Sequence, residues 1–197
     1  MQALVEQAKG YEMVLVVSNK PHAPGLDWAR ARGLPSWAWD SKGVDKEEFD
    51  RAMSTALDEH DVGTIALAGF MRILSTEFVQ EFAGRLLNIH PSLLPKYKGL
   101  DTHARAIAAG DSHHGASVHY VTAELDGGPV IMQGRLRLRP GDTADTVSAR
   151  VHALEHIIYP HVCSLIAAGR VQCRNGVVYF DDEPLAAPLL EENDAAA

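Results

Sequence analysis

The chain has 197 residues, 46% hydrophobic and 22% charged, with a formal charge of −8, which suits one globular core. The acidic balance speaks against nucleic acid and anionic membrane surfaces as partners, because both are gripped by clustered Lys and Arg. No apolar run approaches the ~18 residues that span a bilayer, and "MQALVEQAKG" lacks the regions of a secretion signal.

Residues 2–9 read as an amphipathic helix closed by Gly10. "EMVLVV" (12–17) is a continuous β-branched run, expected to be a strand buried on both faces. After the loop "SNKPHAPG", "LDWARARG" is a short helix stopped by Gly33, and "SWAWD" is a short strand. Residues 45–59 place Phe49, Met53 and Leu57 at spacing four, a helix with one apolar face. "VGTIALAGF" (62–70) is a second buried strand, followed by a helix over 76–82. "RLLNIHPSLLP" (85–95) opens as a third. "HARAIAAG" is helical and ends at Gly110. "GASVHYV" and "PVIMQGRLRL" are strands flanking the turn "AELDGG". In the second of these, Arg135, Arg137 and Arg139 alternate with Leu136 and Leu138, the pattern of a strand with one solvated face. Residues 141–169 form a long helix that Pro160 should kink or interrupt. "VQCRNGVVYF" is a hairpin turning at Asn175-Gly176. Cys163 and Cys173 form no C-x-x-C and no metal-ligand spacing, and read as reduced thiols of a cytoplasmic protein.

Helices alternate with buried strands through the first half, and antiparallel strands follow. The fold class is therefore α/β: a Rossmann-like, largely parallel twisted sheet with helices on both faces and antiparallel C-terminal strands. Residues 1–185 read as one domain and 186–197 as a flexible tail. Ligands of such sheets bind beyond the carboxyl ends of the strands.

Asn88 and His90 stand at that end of their strand. Two residues apart, they face the same way. A lone N-x-H is more often a strand end with two hydrogen-bonded polar groups. Asp126, in a tight turn, shifts the balance. An imidazole can act as general acid or base near neutral pH. A carboxamide can donate to a developing oxyanion, and a carboxylate folded over the strand end would orient the imidazole and raise its pKa. Taken alone, Asp126 is a turn-forming residue before two glycines. No Ser or Cys nucleophile stands in a recognisable elbow, so direct transfer is the natural mechanism. His103, His113, His114 and His119 match no usual zinc spacing, so no metal is expected; His119 reads as a packed, hydrogen-bonded histidine. Trp28, Trp37 and Trp39 read as core or partial core rather than a stacking platform. No phosphate loop of the G-x-x-x-x-G-K-[ST] or G-x-G-x-x-G type is present.

"AGFMRIL" (68–74), "RLLNIHPSLLPKYKGLDTHARAI" (85–107), "HGASVHYVTAELDGGPVI" (114–131) and "ARVHALEHIIYP" (149–160) resemble the folate-dependent glycinamide ribonucleotide formyltransferases of purine synthesis. The resemblance runs from residue 2 to about residue 180. It implies formyl transfer from 10-formyltetrahydrofolate, as co-substrate, to the amine of 5-phosphoribosylglycinamide. It makes Asn88, His90 and Asp126 catalytic. It places the folate against Met71, Arg72, Ile73 and Leu74, against the turn of Thr122, Ala123, Glu124, Leu125 and Asp126, and against Asn88. Lys46 aligns, across a gap, with an arginine that meets the folate tail. His152, Ala153, Leu154 and Glu155 should hold the ribonucleotide. The implied partners are small molecules, with a monomer or homodimer in the cytoplasm. The family opens with a strand and a Gly-Ser-Asn phosphate turn, whereas "MQALVEQA" matches the helix after them. The expectation is a start upstream of Met1, in preference to a relative that has lost these elements.

Two sister enzymes share the Asn, His and Asp. A methionyl-tRNA formyltransferase needs a further basic domain, and a formyltetrahydrofolate deformylase carries an extra N-terminal one. From another class, a folate-binding module without activity would bind the folate and be blind to the ribonucleotide.

Overall fold

The computed structural model describes residues 1–192. Its helices are α1 (Gln2–Glu6), α2 (Pro24–Arg30), α3 (Lys46–Asp58), α4 (Thr76–Glu81), α5 (Thr102–Ala108) and α6 (Ala144–Ala167). Its strands are β1 (Val16–Ser18), β2 (Ser36–Ala38), β3 (Ile65–Leu67), β4 (Leu86–His90), β5 (His113–Tyr120), β6 (Val130–Arg137), β7 (Val171–Arg174), β8 (Val177–Phe180), β9 (Glu183–Pro184) and β10 (Leu189–Glu192).

Helix starts follow local chemistry. The Asp45 carboxylate accepts from the N–H groups of Glu47 and Glu48 and opens α3. Ser75 caps α4. Thr143 and Thr146 cap each other at the head of α6. Pro24 occupies the first turn of α2, where its missing N–H costs nothing.

The main sheet runs β10-β6-β5-β4-β3. It is mixed: β3 is parallel to β4 and β10 to β6, while β5 is antiparallel to both its neighbours. β1 and β2 pair in parallel as a separate two-stranded sheet. β7, β8 and β9 form an antiparallel meander. At its hairpin Asn175 and Gly176 both take positive φ, 52° and 77°, as a tight primed turn requires.

One face of the main sheet is covered by α6, whose Val151, Leu154 and Ile158 pack against Val118, Ile131 and Leu136 in a single buried cluster. A second cluster joins Phe49, Met53 and Leu57 of α3 to Phe78 and Phe82 and to Leu86 of β4.

Three expectations need correction. Residues 12–17 and 62–70 do not form long strands buried on both faces: only 16–18 and 65–67 pair, and every residue of β3 is partly exposed. Each of these strands is paired along one edge only, so half the burial of a central strand is missing. Pro160 does not interrupt α6, which continues through it to Ala167. The carbonyl four residues earlier belongs to exposed His156, where water can serve it. The α/β class holds, with β1-β2, β3-β4 and β6-β10 parallel and the antiparallel pairings of the main sheet made by β5. Residues 189–192, placed in the tail, pair with β6, and Glu192 forms an ion pair with Arg135; the remainder of that tail, 193–197, lies outside the described residues.

Candidate active site

β4 pairs on both sides, with β3 and with β5, so its backbone is fixed where it delivers Asn88 and His90. His90 is 6% exposed. Its Nε2 donates to the carbonyl oxygen of Tyr97 at 2.9 Å. Its Nδ1 lies 3.4 Å from Oδ2 of Asp126. A carbonyl only accepts, so Nε2 carries a hydrogen in this arrangement. Nδ1 can then donate toward Asp126 only when the ring holds both protons. The geometry thus suits an imidazolium that can release the Nδ1 proton.

The Tyr97 carbonyl is aimed by its loop. Tyr97 sits at φ 57°, a left-handed conformation unusual for an aromatic residue. Loop 91–101 is tied down around it. Thr102 Oγ1 donates to Pro91 O at 2.6 Å and Ser92 Oγ to Lys96 O at 2.6 Å. Gln133 Nε2 donates to Leu94 O at 2.8 Å.

Asp126 sits at φ 48°, which Asp tolerates better than most side chains. Its Oδ2 also accepts the Gly99 N–H at 2.9 Å. The turn reaches the strand end because its backbone comes very close to β5. A Cβ on Gly128 would lie 1.9 Å from the Tyr120 carbonyl oxygen, so only glycine fits there.

Asn88 is oriented by His119, its cross-strand partner on β5. His119 is 2% exposed. Its Nδ1 donates to the Tyr120 carbonyl at 2.9 Å, so its Nε2 accepts from Asn88 Nδ2, at 3.2 Å. Burial holds the His119 pKa below the usual imidazole value, which keeps the ring in this neutral, accepting form. One N–H of the Asn88 carboxamide is thereby spoken for and the other remains for a ligand. The sequence marks His119 as a packed, hydrogen-bonded histidine but does not name its partner. The signal it lacked is the register that sets residue 119 opposite residue 88.

The remaining predicted residues distribute as follows. Met71 and Ile73 are 76% and 73% exposed, Leu74 is buried at 9%, and Arg72 donates to Ser41 O at 2.9 Å and lies over the Phe49 ring. Segment 71–74 is therefore anchored against α3, the helix that begins with Lys46. Lys46 itself pairs with Glu47 at 3.6 Å. In the turn, Thr122, Ala123, Glu124 and Leu125 are exposed, and Glu124 pairs with Lys98 at 2.7 Å. On α6, His152 and Glu155 contact each other at 3.1 Å and Ala153 is exposed. Leu154 is a correction: it is 0% exposed, packed beneath β6, and its side chain cannot meet a ligand. Among the described residues, no group of three His, Cys, Asp or Glu is placed to hold a metal ion, and no helix is long and apolar enough to cross a membrane.

A mixed α/β sheet with an imidazole, a carboxylate and a carboxamide gathered at a strand's carboxyl end defines a class: a Rossmann-like fold with an acid–base site for group transfer. Comparison narrows the class. Residues 1–163 match the family model described as Formyl transferase. The phosphoribosylglycinamide formyltransferase of Escherichia coli (strain K12) is 45% identical over 190 residues, covering 94% of this chain and 90% of that protein. The solved structure of the phosphoribosylglycinamide formyltransferase from Coxiella burnetii superposes with a TM-score of 0.90 at 45% identity, covering 96% and 92% of the two chains. The human trifunctional purine biosynthetic protein adenosine-3 is 40% identical over 189 residues, which span 93% of this chain and 19% of that one. The chain belongs to the formyl transferase family.

Proposed function

We propose that the protein transfers a formyl group from 10-formyltetrahydrofolate to the amine of 5-phosphoribosylglycinamide, a step of purine synthesis. The observation that carries this reading is the His90 ring, held between the Tyr97 carbonyl and Asp126 beside a carboxamide with a spare N–H. The names of the relatives agree with it.

The amine of the ribonucleotide attacks the formyl carbon, and the carbonyl π electrons move to oxygen. The spare Asn88 N–H and the His90 Nδ1–H donate to that oxyanion, for which preorganised donors are worth about 10²–10³ in rate. Asp126 stands beside Nδ1, keeps the imidazole aimed, and accepts the proton that the attacking nitrogen loses. That proton passes to the folate nitrogen as its bond to the formyl carbon breaks. No covalent enzyme intermediate forms. The exposed Met71 and Ile73 and the turn 122–126 offer an apolar wall and main-chain groups for the pterin, with Lys46 toward the tail. His152, Ala153 and Glu155 face the ribonucleotide amine. The partners are these small molecules, not nucleic acid. The protein works in the cytoplasm, as a monomer or homodimer.

The test is release of tetrahydrofolate, followed by absorbance, with 10-formyltetrahydrofolate and with or without the ribonucleotide. Release that requires the ribonucleotide and disappears in His90→Ala is expected. Release without the ribonucleotide would make the protein a hydrolase; folate binding with no release would leave a binding module.

A further inference from the structure

Tyr159 lies on α6 and is 4% exposed, inside the apolar cluster between that helix and the sheet. The ring suits that position. The hydroxyl does not, because burying it costs about as much as the hydrogen bond it makes returns. Stability alone therefore gives little reason for tyrosine over phenylalanine here. What sets the hydroxyl apart is where its bond falls. It donates to the Leu67 carbonyl oxygen at 2.9 Å and, as the longer arm of the same proton, to the Leu87 carbonyl oxygen at 3.3 Å. Leu87 directly precedes Asn88, and Leu67 is the β3 residue in register with Asn88. That pair is the last between the two strands: β3 ends at Leu67, while β4 runs on to His90. One proton thus bridges the strands at the residue that carries the carboxamide. Burial, with Cys163 and Glu155 nearby, holds the phenol well above its ordinary pKa, so the proton stays on the oxygen.

We infer that Tyr159 is a positioning residue for Asn88: its hydroxyl fixes the carboxyl end of β4 against β3, and thereby the aim of the carboxamide's free N–H. Asn88 is then held at two points. His119, on β5, holds its side chain. Tyr159 holds its backbone on the β3 side. The helix supplies a second reason. Glu155 stands one turn before Tyr159 on the same side of α6, and in the proposed function it faces the ribonucleotide. The hydroxyl therefore ties the oxyanion donor to the helix that receives the attacking amine. Misplacing such groups by a fraction of an ångström costs rate more than it costs binding. The effect on rate rests on the proposed formyl transfer; the hold on the carboxamide does not.

The test compares Tyr159→Phe, Asn88→Ala and the double variant. It reads kcat and both KM values for tetrahydrofolate release, and the side-chain N–H resonances of Asn88 by NMR. Tyr159→Phe should lower kcat by about 5–10-fold, with both KM values within about twofold. In the Asn88→Ala background the same change should alter kcat by less than about twofold, because the group it aims is gone. The Asn88 carboxamide resonances should move in Tyr159→Phe. Those of Gln133, whose carboxamide is held by Leu94 and Ser117, should stay. Ile158→Val loosens the core on the same turn of α6 and should leave kcat within about twofold. Four results would overturn the inference: an equal loss of kcat in both backgrounds, as a general structural role would give; a raised KM at unchanged kcat; the same loss of kcat from Ile158→Val; or Asn88 resonances that do not move. The NMR readout needs no turnover. If the unaltered protein released no tetrahydrofolate, the proposed activity would fail and the carboxamide resonances alone would decide the positioning.

Discussion

β4 and β3 are adjacent strands of one sheet, and they differ in almost every physical respect. β4 has a partner on each side, and its Leu86 and Leu87 are both 0% exposed. β3 has one partner, three paired residues, and no fully buried side chain. The candidate catalytic groups stand on β4 and on the turn beyond β5. Segment 71–74, with Met71 and Ile73 exposed, follows β3. Groups that handle protons need positions fixed within a fraction of an ångström; a surface that receives a flat ring needs mainly shape. In the proposed function the two strands divide those demands.

Substitutions can break that division. The largest effects belong to the rigid half. His90→Ala should lower the rate of formyl transfer by about 10³–10⁴-fold and Asn88→Ala by about 10²–10³-fold, both followed by tetrahydrofolate release. A Met71→Ala change on the receiving side should raise KM with kcat within about threefold, because it removes binding shared by ground and transition states. If His90→Ala raised KM alone, the contrast would fail.

Stability offers a sharper comparison. Leu87→Ala should cost about 3 kcal/mol and Ile65→Ala about 1 kcal/mol, measured by urea unfolding. Equal costs would mean that β3 is as well packed as β4. His119→Phe should reduce kcat by about tenfold, since losing one oriented hydrogen bond costs about 1–1.5 kcal/mol, while folate affinity stays unchanged.

A pH dependence of similar size belongs to the paired half. His114, 1% exposed and hydrogen-bonded to His103, has its pKa pushed down to about 4 by burial. His103 and His119 are shifted in the same direction by burial. A depressed imidazole pKa means that the unfolded chain binds the proton first. Stability from these groups is therefore complete above pH ~6.5, the unfolded value, and is lost as pH falls toward 4. Unfolding at pH 5 should be easier than at pH 7.5 by about 1–2 kcal/mol, and His114→Gln should flatten the dependence.

Much of this division is written in residue types. The period-two placement of Asn88 and His90 and the Asp-Gly-Gly turn mark the candidate residues, and the resemblance of the surrounding motifs to a known family implies their roles. Their orienting groups are another matter. The Tyr97 carbonyl and the Gly99 N–H are main-chain atoms, which every residue carries, so no residue pattern marks them. His119 is a partner through strand register alone. β1 and β3 misled for a different reason: an apolar run says that a segment prefers to leave water, but not that neighbours stand on both sides. Leu154 shows the same limit, since a segment that reads as ligand-facing still turns one helical position in four into the core.

The Tyr97 carbonyl has a consequence for how this site tolerates change. The group that fixes which nitrogen of His90 carries its hydrogen belongs to the peptide backbone, so no exchange of side chain at position 97 can delete it. Drift at that position can alter the ring stacked under Arg105 or the hydroxyl on Asp111 and still leave the imidazole in its working orientation. The path of the loop that carries this carbonyl is secured at Pro91, Lys96 and Leu94 by three separate side chains. The Nε2 side of His90 is thus insulated from side-chain exchange at position 97, whereas the Nδ1 side depends on the Asp126 carboxylate and can be lost by one substitution.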